Sequence, residues 1–312
     1  MDTPIFLTCH TRPERTARVL ERIADARPRA LFVASDGPRN DGEREAVEAT
    51  RALFERLPWK TELVRDYADQ NLGCPRRTCS GLDSALRLFD EVIILEDDTL
   101  PDPSFFSYCE ALLARYRDEP RVMQIKGTCF HEDPEQAASY TFTQLGSSWG
   151  WATWRRAWEA VDHSFFDSSE AEALRLDPPT RLNQLTTLQR DPWPRVDTDP
   201  ELRARVERTG QFYSNWMKLV DTQRIATSWM GMLAFHIVSN DLLVASPRSN
   251  LVTNIGFGEG ATLTTRPHVF ADQPASRITL PLEHPPLELD LAVQARLARV
   301  TDEAFFRYGF AE

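Results

Sequence analysis

The sequence predicts an α/β protein whose sheet is flanked by helices. Short apolar runs at residues 4–7, 30–34, 61–64 and 92–95 alternate with stretches whose apolar residues recur at helical spacing. Such alternation is typical of parallel strands joined by right-handed helical crossovers. The run at 92–95 has no polar alternation, which indicates a strand covered on both faces. With 42% hydrophobic residues among 312, the chain can bury a large core.

Two of the predicted helices have recognisable first turns. Thr11 and Glu14 match a capping box, and Pro13 suits the first helical positions. Asp102 and Pro103 form a second cap of this kind. A final amphipathic helix near residues 291–306 is expected to cover the sheet or to form a homodimer contact.

Four of the eight tryptophans lie between residues 149 and 158. Trp151, Trp154 and Trp158 have the spacing of one helical face, which predicts a place in the core. Trp149 stands between two small residues on a predicted turn. Its indole could stack on the C–H face of a sugar or pack inside the protein, and the sequence leaves both open.

Composition excludes several classes of protein. A formal charge of −11, from 36 basic and 47 acidic residues, argues against nucleic-acid binding. The five cysteines form no C-x-x-C pair and no cluster with zinc spacing. No apolar run approaches the roughly 18 residues of a membrane span, and no signal peptide is recognisable. We therefore expect a cytoplasmic protein with reduced thiols.

Three acids directly follow the apolar run at 92–95, namely Glu96, Asp97 and Asp98. They come at the carboxyl end of the predicted strand, and open α/β sheets bind ligands beyond that end. Oxygen ligands suit Mg²⁺ or Mn²⁺, which take one or two protein carboxylates while substrate phosphates complete the shell. The triplet therefore predicts a divalent cation shared with a phosphorylated ligand.

Other polar side chains follow the neighbouring strands and are predicted to meet the acids at one rim. An aspartate can accept from a pyrimidine N–H, and arginines can bind a diphosphate. No P-loop and no G-x-G-x-x-G is present, which disfavours those nucleotide sites. The candidates for a nucleotide-diphosphate site are Thr8, His10 and Arg12 after the first strand, Asp36 after the second, and Arg76 and Arg77 after the third.

The order of these motifs carries a resemblance. The segments 8–12, 35–37, 71–73, 96–98, 150–151 and 254–258 follow one another as in bacterial sugar-nucleotide glycosyltransferases of the GT-A type, which are family 2-like. The chain is similar, more distantly, to the N-acetylglucosaminyltransferase I family. The resemblance spans residues 3–265 and implies a GT-A, Rossmann-like mixed sheet in a single domain of residues 1–312. Residues 1–128 would be the nucleotide-sugar half, and residues 129–312 the acceptor half with the C-terminal helix.

The resemblance also implies roles for individual residues. Asp98 would be the direct Mn²⁺ or Mg²⁺ ligand, and Glu96 and Asp97 would contact the ribose and sugar of the donor. Arg12 and Asp36 would hold the base and phosphates, with the other rim residues nearby. The residues expected on the acceptor or sugar side are Trp149, Gly150, Trp151 and Gly258.

The catalytic base is the departure from the family pattern. The resembling enzymes commonly place an aspartate after a tryptophan, where this chain has Met230 after Trp229. A thioether cannot take a proton at neutral pH. His236 lies in an apolar pattern and is expected to be structural. The acids that could act instead are Asp97, Asp221, Asp241 and Glu259.

Two alternatives to a replacement base remain open. The acceptor could already be ionised, or the reaction could retain configuration, so that no base is needed. The protein could also bind a sugar nucleotide without turning it over well. The sequence as a whole predicts a metal-dependent glycosyltransferase that moves a sugar from a nucleotide-diphosphate donor, a UDP-sugar, to an acceptor hydroxyl. A nucleotidyltransferase acting on a sugar phosphate is the alternative enzyme class.

Overall fold

The apolar runs form strands of one large sheet in the computed structural model, which describes residues 1–130, 137–162, 193–221, 229–258 and 268–308. Within these ranges the sheet has eight strands in the order β3-β2-β1-β4-β8-β6-β9-β7, and a separate pair joins β5 to β10. The strands are β1 Ile5–Cys9, β2 Ala30–Ser35, β3 Glu62–Tyr67, β4 Glu91–Glu96, β5 Thr99–Pro101, β6 Val122–Lys126, β7 Tyr140–Thr143, β8 Trp151–Trp154, β9 Leu243–Pro247 and β10 Val252–Asn254.

Helices cover the sheet, as the alternating pattern predicts. The last of them, Leu291–Tyr308, packs on the helix Gly210–Asp221 and on β7, so it covers the sheet as one of its two predicted roles. No helix in the described ranges is both long and apolar enough to cross a bilayer. The helices are α1 Pro13–Ala26, α2 Arg44–Ala52, α3 Cys74–Leu88, α4 Pro103–Arg115, α5 Arg155–Trp158, α6 Pro200–Glu207, α7 Gly210–Asp221, α8 Trp229–Ser239 and α9 Leu291–Tyr308.

The predicted Rossmann-like mixed sheet flanked by helices is confirmed. Strands β1 to β4 are mutually parallel, and β6 and β9 are parallel to each other. Strand β8 runs antiparallel between β4 and β6, so strands from before and after residue 128 interleave in one sheet. The two predicted halves therefore share a single core.

Local predictions had mixed outcomes. The Thr11–Glu14 capping box is wrong, because α1 begins at Pro13 with Arg12 at the N-cap and no side chain caps it. The cap at Asp102 is confirmed, since its carboxylate accepts from Ser104 N at 2.8 Å.

The tryptophan-rich segment is a second correction, because it begins as a strand. Trp151 and Trp154 lie in β8, and only Trp158 lies in α5. Trp151 stacks on Trp229 of α8 with ring centroids 5.7 Å apart, while Trp154 Nε1 donates to Leu113 O of α4. Pairing with β4 and β6 on both sides overrode a spacing that suits one helical face.

One edge of the sheet collects the predicted polar residues. Strands β1, β2, β4 and β6 all end there, and β8 begins there, because Trp151 pairs with Ile94 and Lys126. We call it the carboxyl edge.

Candidate functional site

The three acids lie on a tight turn at the carboxyl edge. Thr99 closes the turn, since its Oγ1 accepts from Glu96 N at 2.9 Å and donates to Glu96 O at 3.0 Å. Asp97 and Asp98 thereby occupy the tip. Strand β5 starts directly after them and pairs with β10, and Ile255 N donates to Asp98 O at 2.8 Å. Residues 252–255, which are distant in sequence, thus help to hold the turn.

Arg12 is the cation that faces these acids. Its Nη1 lies 2.6 Å from Asp98 Oδ2 and 3.4 Å from Asp97 Oδ1. The backbone N–H of His10 donates to Asp97 Oδ2 at 3.3 Å. Thr8 pairs with Glu96 across β1 and β4, as parallel strands that end together require.

Burial and mutual repulsion weaken the acidity of the turn. Burial, helped by the charge of Asp98 and opposed by Arg12, raises the pKa of Asp97 to about 7. Burial and the charges of Asp98 and Asp97 also raise the pKa of Glu96 well above its usual range. The pKa of Arg12 is raised by Asp97 and Asp98 although its own burial opposes this. The cluster would gain from further positive charge.

Asp98 has the atom that fits a divalent cation. Its Oδ1 is buried and has no hydrogen-bond partner among the described residues. Leaving a buried carboxylate oxygen unpaired is costly, and such an oxygen is a ligand that Mg²⁺ or Mn²⁺ prefers. Within the described ranges no three His, Cys, Asp or Glu side chains converge as a protein cage for a metal. The donor set therefore fits an ion that keeps water or phosphate as its other ligands.

Gly256 packs directly on Asp98. A Cβ at this position would lie 2.1 Å from Asp98 Oδ2, so only glycine allows the approach. Asn254 Oδ1 accepts from Gly256 N at 2.7 Å, and Arg15 Nη1 lies 3.4 Å from Gly256 O. Asn254 belongs to the 254–258 motif, whereas Arg15 is not among the residues predicted for the site. Arg15 could have been found, because it follows Arg12 by three residues on one face of α1.

Asp36 lies in a different environment. Its Oδ1 accepts from the N–H groups of Gly37 and Leu72, each at 2.8 Å. Its Oδ2 accepts from Gly73 N and from the side-chain amide of Asn71, each at 3.0 Å. A carboxylate has about four acceptor positions, and all four are used. Asp36 therefore holds the 71–73 loop, and its predicted contact with the base stays a prediction.

The two arginines of α3 differ. Arg77 is 4% exposed and forms an ion pair with Asp66 of β3, and its role as a nucleotide ligand stays a prediction. It lies on the face of α3 that packs on the sheet. Its burial could not be predicted, because arginine is a polar residue type. Arg76 is half-buried in the first turn of the same helix and stays a candidate.

Trp149 lies in an aromatic cluster beside the Gly256 loop. It is half-buried and makes edge contacts with Phe130 and Phe257, with ring centroids 5.7 and 5.5 Å apart. Phe270 stacks on Phe130 at 4.0 Å. Trp151 is 0% exposed, which confirms its predicted place in the core, and its role as an acceptor contact stays a prediction.

The two predicted glycines have left-handed backbone conformations. Gly150 has φ +70, and a Cβ there would lie 2.7 Å from Val252. Gly258 has φ +85 and open space around it. Both positions favour glycine for backbone reasons.

Of the candidate bases, Asp97 lies on the acidic turn itself, whereas Asp241 does not. Asp241 precedes β9, which is parallel to β6, so it lies at the edge opposite the carboxyl edge. It is exposed and accepts from Gln144 Nε2 at 2.8 Å, and its role as a base stays a prediction. Glu259 and the side chain of Asp221 lie outside the described residues.

Met230, which stands where an aspartate base is expected, and His236 both lie on α8. Burial lowers the pKa of the half-buried His236. Met230 is half-buried at the start of the helix, and its Cε would lie 3.6 Å from a Cβ on Gly146. Met230 thus lies beside the loop that leads to Trp149.

Comparisons with known proteins find weak structural similarity and no sequence match. No protein family and no curated protein matches the sequence. Among solved structures, S. aureus TarS residues 1–349 matches with a TM-score of 0.33 and 15% identity over 50% of this chain and 47% of that chain.

Two further matches have similar scores. A cytidylyltransferase from Leptospira borgpetersenii serovar Hardjo-bovis matches with a TM-score of 0.32 and 11% identity, over 51% of this chain and 63% of its own. The galactosyltransferase LgtC, in complex with donor and acceptor sugar analogs, matches with a TM-score of 0.28 and 14% identity, over 51% and 60%. The matched segment spans about half of the TarS chain.

Proposed function

We propose that this chain is a sugar-nucleotide-dependent glycosyltransferase whose donor diphosphate binds at the carboxyl edge. The observation that supports this most is Asp98, which has one oxygen on Arg12 at 2.6 Å and the other buried without a partner among the described residues. A Mn²⁺ or Mg²⁺ ion held by Asp98 would neutralise charge on the leaving diphosphate. Glu96 and Asp97 are proposed to face the ribose and sugar of the donor.

Positive charge for the phosphates would come from the start of α1. Arg12 is the N-cap residue, Arg15 lies one turn later, and no side chain caps the helix. The free N–H groups and the dipole of a helix N-terminus favour anions. His10 and Arg76 stay proposed neighbours of the nucleotide. An acceptor hydroxyl would attack the anomeric carbon, and the UDP would leave with the bonding electron pair.

Met230 favours a second candidate, a sugar-nucleotide-binding protein with slow turnover. Asp241, one of the acids that could replace the base, lies at the opposite edge. If a base is the missing element, Met230→Asp should raise the rate of UDP-glucose hydrolysis or transfer. An unchanged rate would favour a reaction that needs no side-chain base at this position.

The test is a thermal-shift comparison with UDP, with Mn²⁺ and with both together. We expect the combination to raise the Tm of the wild type above either alone, because ion and diphosphate would share one site. Asp98→Asn should abolish the extra shift. Asp90→Asn is the matched control, because Asp90 is an exposed acid just before the same strand, at its other end. Equal shifts in Asp98→Asn and the wild type would contradict the metal assignment.

Product analysis separates the two enzyme classes. Hydrolysis of UDP-glucose at the anomeric carbon gives UDP and glucose, whereas attack at phosphorus gives UMP and glucose 1-phosphate. We expect UDP. UMP as the product would indicate a nucleotidyltransferase-type reaction.

A further inference from the structure

Three side chains hold the backbone of residues 145–147. Gln124 Nε2 donates to Ser147 O at 3.0 Å, and its Oε1 accepts from Ser147 N at 3.1 Å. Lys126 Nζ donates to Leu145 O at 3.2 Å. Tyr213 Oη donates to the intervening carbonyl, Gly146 O, at 3.1 Å. We call Gln124, Lys126 and Tyr213 the loop clamp.

Lys126 is a costly member of the loop clamp. It is 1% exposed at the end of β6, and in the part of the chain that the structure describes no carboxylate pairs with it. Burial lowers its pKa to about 8. At neutral pH it is still an ammonium, and a buried charge without a counter-ion is expensive. A neutral side chain would hold one carbonyl at lower cost, whereas a charged donor holds it more strongly.

The clamped segment runs directly into Trp149 and Gly150. Trp149 N donates to Ser147 Oγ at 3.2 Å, and Gly150 O accepts from Gly127 N at 2.8 Å. Gly150 also packs on Val252 of β10, the strand that continues into the loop at Asp98. A shift of residues 145–147 would therefore move Trp149 and disturb the packing beside the acidic turn.

Gly146 makes the clamp possible. A Cβ at this position would lie 2.5 Å from Gln124 Oε1, so a larger residue would displace the glutamine. The geometry thus combines a glycine, two buried polar residues on one strand and a tyrosine from α7 around three successive peptide groups.

We propose that Gln124, Lys126 and Tyr213 are positioning residues that fix Trp149 and Gly150 on the acceptor side of the sugar-nucleotide site. This inference rests on the proposed function. It assigns the loop clamp to the reaction, with no direct contact between its members and the reacting atoms.

The test compares Lys126→Met and Tyr213→Phe with the matched control Arg156→Met. Arg156 also holds backbone carbonyls, Tyr116 O at 2.8 Å and Val122 O at 3.2 Å, but at the other end of β6. Two quantities are measured in each variant. One is acrylamide quenching of Trp149 fluorescence, taken as the difference from the same variant carrying Trp149→Phe, and the other is kcat and KM for UDP-glucose hydrolysis.

We expect Lys126→Met to raise the quenching constant of Trp149 about twofold, because the loop loses a fixed carbonyl. Its kcat should fall about tenfold while KM for UDP-glucose changes little, since the loss is one of positioning. Tyr213→Phe should change both quantities in the same direction by less. Arg156→Met should change neither, although it removes a comparable set of hydrogen bonds.

Equal quenching and kcat in Lys126→Met, Tyr213→Phe and the wild type would overturn the inference. So would the same changes in Arg156→Met, because the effect would then be general loss of stability. If Lys126→Met does not fold, Tyr213→Phe decides. Absence of UDP-glucose binding and turnover in the wild type contradicts the proposed function, whereas unchanged Trp149 quenching contradicts the clamp, so the two failures are read from different measurements.

Discussion

Asp36 and Asp98 both follow parallel strands at the carboxyl edge, but their carboxylates are used differently. Asp36 is 5% exposed and accepts four hydrogen bonds. Three come from the backbone N–H groups of residues 37, 72 and 73, and one comes from the side-chain amide of Asn71. Asp98 accepts one close contact from Arg12 and leaves a buried oxygen without a partner among the described residues. The same residue type at the same edge thus stabilises a loop in one place and is incompletely satisfied in the other.

The difference shows how a site can be recognised from within the protein. A carboxylate whose acceptors are all used contributes to the free energy of folding and has little left for a ligand. A buried oxygen without a partner lowers stability and is retained where a ligand can complete it. Position at a strand end alone does not separate the two.

Replacing Asp36 should give the largest loss of stability. Asp36→Ala leaves four donors without their acceptor, and we expect the free energy of unfolding to fall by about 3 kcal/mol. Urea denaturation measures this. Asp36→Asn should lose nearly as much, because an amide NH₂ would face donors. Unchanged stability with lost UDP binding would instead assign Asp36 to the nucleotide.

The buried Lys126 extends the comparison to a cation, whose ammonium donates to Leu145 O in the part of the chain that the structure describes. Burial lowers its pKa to about 8, whereas an unfolded lysine titrates near 10.4. Between these pH values the unfolded chain binds a proton that the folded chain does not, so stability rises with pH. The wild type should gain up to about 1.4 kcal/mol per pH unit over Lys126→Met in this window. Parallel pH curves for the two proteins would contradict the lowered pKa.

Gly256→Ala should disturb Asp98 without replacing it. The added Cβ would lie 2.1 Å from Asp98 Oδ2, so the carboxylate or the loop must move. We expect affinity for UDP with Mn²⁺ to fall about tenfold, measured by calorimetry. Gly258→Ala is the control for backbone strain in the loop, because its φ of +85 disfavours alanine although open space surrounds it. An equal loss in both variants would indicate a backbone effect and not a contact with Asp98.

Arg12→Gln should give the smallest change in affinity, with opposite signs for Mn²⁺ and for UDP. Arg12 Nη1 lies 2.6 Å from Asp98 Oδ2 and so competes with a bound cation. Without it, affinity for Mn²⁺ alone should rise about fivefold, since a partly exposed ion pair contributes about 1 kcal/mol. Affinity for UDP should fall. Mn²⁺ electron paramagnetic resonance titration measures the first, and a fall in Mn²⁺ affinity would contradict the competition.

Much of the fold of residues 1–128 could be predicted because its signals are local. Buried parallel strands appear as continuous apolar runs. The apolar residues of α1 to α4 recur at helical spacing, and the structure confirms these helices. Strand β8 could not be predicted, because it depends on pairing with β4 and β6. The spacing of its tryptophans suits a helix until those partners are known.

The site was only partly predictable for the same reason. The sequence places Glu96, Asp97 and Asp98 at a strand end, and the order of strands brings Arg12 to them. Which carboxylate is satisfied depends on loops distant in sequence, such as 71–73 and 254–256. The burial of Arg77 and the opposite edge of Asp241 likewise follow from packing that no local pattern encodes.

Because β5 pairs with β10, the acidic turn depends on residues from both the first and the last third of the chain. A fragment that stops at residue 128 would contain every acid of the turn, yet it would lack Ile255 and Gly256, which contact Asp98. It would also lack β8, leaving β4 and β6 with exposed edges prone to aggregation. Engineering a minimal protein that retains the acidic turn therefore requires grafting the 250–258 segment along with the first half.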